Sequence, residues 1–187
     1  METINEKNIG TLIHIYDHLN DGYFSAHHQL QYYNEKAYNL YLNKDNDGLL
    51  SLYNELKNTI PDSILTIIEN SPGIRYFCCD GCHDAKIKDA YIDEDYLSII
   101  LDSDGMLGCL NVDKIFEVKI KTNSKTTCQE LLDDIKIFKG MYWLYSDITF
   151  NNSVIDFELE LQAFSDTSYI NIKYKFIISD IVIKQKK

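Results

Sequence analysis

The residues whose types and spacing could do chemistry are concentrated in one short run, Cys-Asp-Gly-Cys-His-Asp, at positions 79–84. Cys79, Cys82 and His83 form a C-x-x-C-H pattern, which is typical of covalent c-type haem attachment. The same three side chains could instead begin a zinc site, with a cysteine from farther along the chain as the fourth ligand. A structural zinc site normally has a second well-spaced ligand pair, and the sequence has none. We therefore predict that the protein binds no metal or haem cofactor.

Two catalytic interpretations of the same run are weaker on geometric grounds. A thioredoxin-like redox pair needs its C-x-x-C at the start of a helix, whereas the residues after Cys82 have the pattern of a strand. A cysteine hydrolase needs its base brought from elsewhere in the chain, and Cys82 and His83 would point apart on an extended backbone. We favour buried thiols in a strand. A cytosolic metal-binding protein or hydrolase that uses His83 with nearby cysteines is kept as the second interpretation.

His83 and Asp84 also have a structural and a functional interpretation. Asp84 could cap backbone N–H groups where a strand starts, while His83 packs on an aromatic ring. The pair could otherwise form a surface binding site, with His83 as a base or a ligand. We favour the structural role and retain both residues as binding candidates.

The charge distribution indicates what kind of partner the protein would take. Its formal net charge is -11, and no Lys/Arg cluster offers the counterion release on which nucleic-acid binding depends. An acidic surface suits a basic protein partner reached by electrostatic steering. The segment from Asp80 to Glu117 holds ten acids and three lysines, so it is the best candidate face. Within it, Asp93, Glu94 and Asp95 form a run that we expect to be a solvated turn.

The front of the chain, residues 1–72, has the spacing of short amphipathic helices. Apolar residues recur at helical intervals in three stretches, and a fourth, shorter one is indicated before Ser71-Pro72-Gly73. The stretches are Ile9–Leu19, Leu30–Tyr41, Leu49–Ile60 and Ile64–Glu69. This pattern predicts a helical segment ahead of the reactive run.

The back of the chain, residues 74–184, changes to the two-residue period of strands, with one short helix expected at Thr127–Asp133. The last two strands can be aligned from the sequence, because a one-residue slip would set apolar side chains opposite polar ones. In that register Phe164 faces Tyr169 and Glu160 faces Lys173. The fold class is therefore predicted as α+β, with an antiparallel β-sandwich or partial barrel following the helices.

One resemblance adds to this interpretation. The pattern of Phe77, then His83-Asp84-Ala85-x-Ile87, then Trp143-Leu144-Tyr145-x-Asp147-Ile148, then Phe157-Glu158-Leu159 resembles a group of uncharacterised bacterial proteins of unknown function. Members of that group pair a variable N-terminal segment with a β-rich domain that opens in a His-Asp-(Ser/Ala) motif. Some small bacterial immunity proteins of contact-dependent toxin systems are similar. The resemblance implies no established reaction, and it leaves the helical segment unexplained.

Localisation and function follow from these features as expectations. The first 20 residues carry acids and no long apolar run, so they do not have the pattern of a signal peptide. No window has the roughly 18 apolar residues of a membrane span. Five cysteines, an odd number, suit free thiols in a reducing cytoplasm. We expect a cytoplasmic, non-enzymatic interaction module, and the resemblance implies an immunity protein that neutralises a basic toxin.

Overall fold

The computed structural model describes residues 6–20, 30–79, 82, 84–103, 115–138, 140–151, 154–164 and 168–185. Within them, six helices precede the first strand, and a seventh helix lies among the strands. The helices are α1 (Glu6–Leu19), α2 (Leu30–Tyr33), α3 (Glu35–Leu42), α4 (Asn46–Lys57), α5 (Asp62–Asn70), α6 (Pro72–Cys79) and α7 (Lys125–Ile137). The strands are β1 (Ala85–Asp93), β2 (Tyr96–Asp102), β3 (Ile115–Thr122), β4 (Met141–Asn151), β5 (Val154–Phe164) and β6 (Tyr169–Gln185).

The six strands form a closed antiparallel barrel in the order β1-β2-β3-β6-β5-β4. Two three-stranded meanders, β1–β3 and β4–β6, are joined by α7 and meet where β3 pairs with β6. The α+β prediction is therefore confirmed, and the sheet is a closed barrel. The helices are not all N-terminal, because α7 lies between the two meanders.

The register of the last hairpin agrees with the sequence. Phe164 faces Tyr169 and Glu160 faces Lys173, as the alternation of apolar and polar residues predicts. On the outer face the Lys173 ammonium lies 3.2 Å from a carboxylate oxygen of both Glu158 and Glu160. These two acids therefore balance a lysine on the strand surface.

The barrel interior is filled by aromatic side chains from several elements. Trp143, Phe157 and Phe176 are fully buried and face inward from β4, β5 and β6. Phe77 of α6 joins them, with its ring stacked 5.3 Å from Trp143 and set edge-on at 5.7 Å from Phe157. Ring pairs of this kind add to the free energy gained by burying their apolar area. Helix α6 therefore packs into the core of the barrel as well as against the other helices.

The residues that follow Ser71 are helical, so the prediction of a strand from Ile74 was wrong. Ser71 precedes Pro72 at the first position of α6, and the Ser71 carbonyl accepts a hydrogen bond from the Arg75 N–H. Proline suits the first position of a helix, because its missing N–H would have no partner there. Ser71-Pro72 is therefore a helix start and not only a chain break.

Helix α6 is also tied directly to β6. The Ser71 hydroxyl donates to Asp180 Oδ1 at 2.5 Å. A Cβ added to Gly73 would lie 2.0 Å from the carbonyl oxygen of Ile181, so only glycine permits this approach. The boundary predicted at residues 72–74 thus falls at the helix that joins the two parts.

The other helices also differ from their predicted bounds, most clearly at two places. The stretch from Leu30 to Tyr41 is broken into α2 and α3 at Asn34, whose side chain accepts from the Ala37 N–H at 3.0 Å. Such a side chain caps a new helix start. Helix α7 is longer than the predicted Thr127–Asp133 and begins after Ser124. It lies at the end of the barrel where β3 ends and β4 begins, and its Asp134 accepts a 2.6 Å hydrogen bond from Tyr174.

Candidate functional site

The reactive run joins α6 to β1, and the structure describes part of it. Cys82 is 1% exposed, while Asp84 is exposed and holds a φ of 60°. The Asp84 N–H donates to the Trp143 carbonyl at 2.8 Å, just before β1 begins to pair with β4. Asp84 thus starts the strand that closes the barrel. A left-handed φ suits aspartate better than most residues with a side chain.

The metal and hydrolase interpretations depend on residues outside the described part of the chain. His83 and the side chain of Cys79 are among these residues. Across the residues that the structure does describe, no group of three His, Cys, Asp or Glu side chains could hold a metal ion. The absence of a metal or haem therefore stays a prediction, and the metal-binding or hydrolase interpretation stays the alternative to it.

Two other thiols can be assessed as nucleophiles. Burial, together with the negative charge of Asp147, raises the pKa of the Cys78 thiol well above its usual range. Burial also raises the pKa of the thiol of Cys128, a buried residue of α7. A thiol must ionise to act as a nucleophile or a metal ligand. The raised pKa values favour the protonated form of both thiols at neutral pH, which disfavours a role as nucleophile or metal ligand.

The acids singled out in the sequence lie on the hairpin formed by β1 and β2, here called the acidic hairpin (residues 85–102). Glu94 and Asp95 form its two-residue turn, between Asp93 and Tyr96, which face each other. All three acids of the run are exposed, and the predicted turn is confirmed at Glu94 and Asp95, whereas Asp93 is the last residue of β1. Glu94 adopts a φ of 56°, a left-handed conformation that disfavours a residue with a side chain.

The three acids of the turn differ in their pairing. Lys119 of β3 places its ammonium 2.8 Å from Asp93 Oδ2 and 5.2 Å from the centre of the Tyr96 ring. The hydrogen bond from Lys119 lowers the pKa of Asp93 below its usual value. Across the described residues no salt bridge engages Glu94 or Asp95. These two carboxylates are the charges that the turn presents to solvent.

The acidic hairpin is held against β3 by a second contact. The Tyr91 hydroxyl donates to Glu117 Oε1 at 2.6 Å, across the intervening strand β2. This hydrogen bond to a carboxylate raises the pKa of Tyr91. Glu117 is only 8% exposed, so it serves the hairpin and not the surface. The hairpin that bears the turn acids is therefore held to β3 by side-chain contacts on its outer face.

The main polar feature that sequence reasoning missed is a buried ion pair among the helices. Asp17 of α1 accepts from Arg75 Nε of α6 at 2.9 Å, and both residues are buried. Arg75 also donates to the carbonyl of Ile68 in α5, and its guanidinium lies 4.9 Å from the centre of the Tyr16 ring. Burial raises the pKa of Asp17 to about 6, although the charge of Arg75 opposes this rise. The pair joins three helices and therefore has a structural role.

A groove of about 320 Å³ lies between α1 and α4. Its walls are mainly apolar and aromatic. They are formed by Tyr16, Leu19, Asn20, Leu50 and Tyr53. A small-molecule site normally combines such walls with a few converging polar groups. These lining residues include no charged side chain, so the acidic hairpin is the stronger candidate site.

Comparisons with family models, with curated proteins and with solved structures found no significant match to this chain. The resemblance seen in the sequence therefore stays an expectation. Among the described residues, no helix combines the length and the apolar character that crossing a bilayer requires.

Proposed function

We propose that this protein is a non-enzymatic interaction module that binds a basic protein partner through the turn of the acidic hairpin. The observation that carries the proposal is the pair Glu94 and Asp95, which lie exposed at a tight turn and form no salt bridge with any residue that the structure describes. Exposed charges of one sign accelerate the encounter with a partner of the opposite sign. The net charge of -11 adds a long-range field of the same sign.

The biological form that we propose is an immunity protein that neutralises a basic toxin. Two features support it: the acidic character of the chain, and the resemblance of the motifs around His83 and Trp143 to small bacterial proteins of this kind. A toxin gene next to the gene for this chain would supply the partner for direct measurement.

The test is the association rate measured with that partner at two salt concentrations. Glu94→Lys with Asp95→Lys should slow association at least about tenfold at low salt and change dissociation little, because peripheral charges act on encounter. Raising the salt should narrow the difference in association rate between the wild type and the variant, since the screening length falls from about 10 Å at 0.1 M to about 3 Å at 1 M. Asp93 is left intact because Lys119 needs it as a counter-charge.

A matched control reverses two exposed acids of the helical part, Glu35 and Glu55, and so changes the net charge equally. Association slowed to the same extent in both variants would assign the effect to net charge and count against the hairpin. An unchanged rate in the hairpin variant would overturn the proposed site. Hydrolytic activity that is lost in His83→Ala would favour the enzyme interpretation instead.

A further inference from the structure

Among the residues that the structure describes, one edge of strand β1 pairs with another strand over only a short part of its length. It pairs with β2 from Lys86 to Asp93, but with β4 only at Ala85 and Lys86. A register shift at Lys88 separates the part of β1 that pairs with β4 from the rest of the strand. From Lys88 to Asp93 every residue is exposed except Ala90, which is half-buried. We call this part of β1, residues 88–93, the open edge.

The pairing with β2 fixes which backbone groups face outward. In a hairpin with a two-residue turn, the residues that flank the turn exchange hydrogen bonds, and the next pair does not. Asp93 and Tyr96 flank the turn, so the N–H and C=O groups of Ala90 and Ile92 point away from β2. The Ala90 N–H agrees with this assignment, because it donates to its neighbour's side chain, Asp89 Oδ1, at 2.9 Å.

The side chains of the open edge lie on two faces of the barrel wall. Asp89, Tyr91 and Asp93 are on the outer face of the barrel wall, and Ala90 and Ile92 are on the inner face. Ile92 is nevertheless 47% exposed and Tyr91 37% exposed. An added strand would cover Ile92 on the inner face and would meet Tyr91 and the carboxylates of Asp89 and Asp93 on the outer face.

A second copy of the chain does not fit this edge. Pairing β1 with β1 would bring Asp89 and Asp93 of each copy close together, and like charges on neighbouring strands are destabilising. Charged residues and a bulge on an edge strand are common protections against such self-pairing. The same carboxylates suit a strand that carries basic side chains at every second position.

We infer that the open edge of β1 binds an extended segment of the basic partner as an added strand, in which basic and apolar residues alternate. This inference rests on the proposed function and specifies how the partner docks. Backbone hydrogen bonds at Ala90 and Ile92 would provide affinity. The basic side chains of the added strand would face Asp89 and Asp93, and its apolar side chains would pack on Ile92.

The test uses a capped eight-residue peptide of alternating Lys and Val, and the same peptide methylated on its four central backbone nitrogens. Both have the same charge and side chains, but the second lacks the N–H groups that an added strand needs. Titration of the ¹⁵N-labelled protein should shift the amides of Ala90 and Ile92 with the first peptide. The methylated peptide should bind at least tenfold more weakly.

Ala90→Pro provides a control on the protein side. It removes an outward N–H without removing a bond to β2, and the amide spectrum shows whether the barrel stays folded. Equal binding of both peptides would overturn the added strand and leave charge-steered binding intact. Shifts confined to other strands, or no binding of either peptide at 1 mM, would also overturn it. The proposed function fails separately, through the association rate of the Glu94 and Asp95 variant.

Discussion

At the scale of single residues, the buried ion pair of Asp17 and Arg75 predicts a distinctive dependence of stability on pH. The folded-state pKa of Asp17, about 6, lies above its ordinary value of 3.8, so the folded state binds its proton more readily than the unfolded state. The contribution of this group to the free energy of unfolding therefore rises as pH falls through 6. Between pH 7.5 and pH 5 the rise should be about 1–1.5 kcal/mol.

The measurement is urea unfolding of the wild type and of Asp17→Asn at both pH values. Other carboxylates, such as Asp93 with its lowered pKa, act in the opposite direction but are common to both proteins. The difference in unfolding free energy between wild type and variant should therefore grow in favour of the wild type at pH 5. A difference that does not change with pH would mean that Asp17 has an ordinary pKa.

Gly73 is a second residue whose substitution has a predictable effect. Gly73→Ala should destabilise the protein by at least about 2–3 kcal/mol, because its Cβ would collide with the backbone carbonyl of Ile181 and push α6 from β6. Gly140→Ala is the matched control, since a Cβ there meets nothing within 4 Å. Thermal unfolding of the two variants should show a large fall in Tm for the first and a small change for the second. Similar Tm values would show that α6 can shift without cost.

At the scale of elements, the turn of the acidic hairpin carries backbone strain that can be removed. Glu94→Gly should raise the free energy of unfolding by about 0.5–1 kcal/mol, because glycine adopts a positive φ without the penalty of a side chain. Glu94→Gln is the control, since it removes the charge and keeps the side chain. A gain in both variants would assign the effect to charge repulsion with Asp93 and Asp95 and not to the turn.

The elements that the sequence predicts well are those whose pattern is set by nearby residues. β5 and β6 were aligned correctly because one face is buried and a slip would expose Phe157 and Leu159. The acidic turn was also located correctly. Helix α6 was missed because a short, almost wholly apolar run such as Tyr76-Phe77-Cys78 fits a helix and a strand equally well. Only Ser71-Pro72 indicated the helix.

The contacts that join distant parts of the chain had no local signal. Nothing near Asp17 in the sequence identifies Arg75 as its partner, and nothing near Asp93 identifies Lys119. The sequence therefore predicted the charged turn but not which of its acids forms a salt bridge. The Asp93 carboxylate is held by Lys119, whereas Glu94 and Asp95 form no salt bridge with the residues that the structure describes.

At the scale of the whole molecule, the helices and the barrel share contacts that should make them unfold together. Arg75 joins α6 to α1 and α5, Ser71 and Gly73 join it to β6, and Phe77 enters the barrel core. One short helix therefore has buried contacts on both sides. Separation of the two parts would expose Phe77 and break the bond between Ser71 and Asp180.

This architecture predicts coincident unfolding of both parts. Trp143 is the only tryptophan and lies in the barrel, so its fluorescence reports on the barrel, while circular dichroism at 222 nm reports mainly on the helices. Both signals should change at the same urea concentration.

Phe77→Ala should lower both unfolding midpoints together and reduce the free energy of unfolding by about 3–4 kcal/mol. Tyr32→Ala, at an exposed ring of α2, should leave both unchanged. Two separate transitions in the wild type, with Phe77→Ala moving only the fluorescence signal, would mean that the helices and the barrel are independent domains.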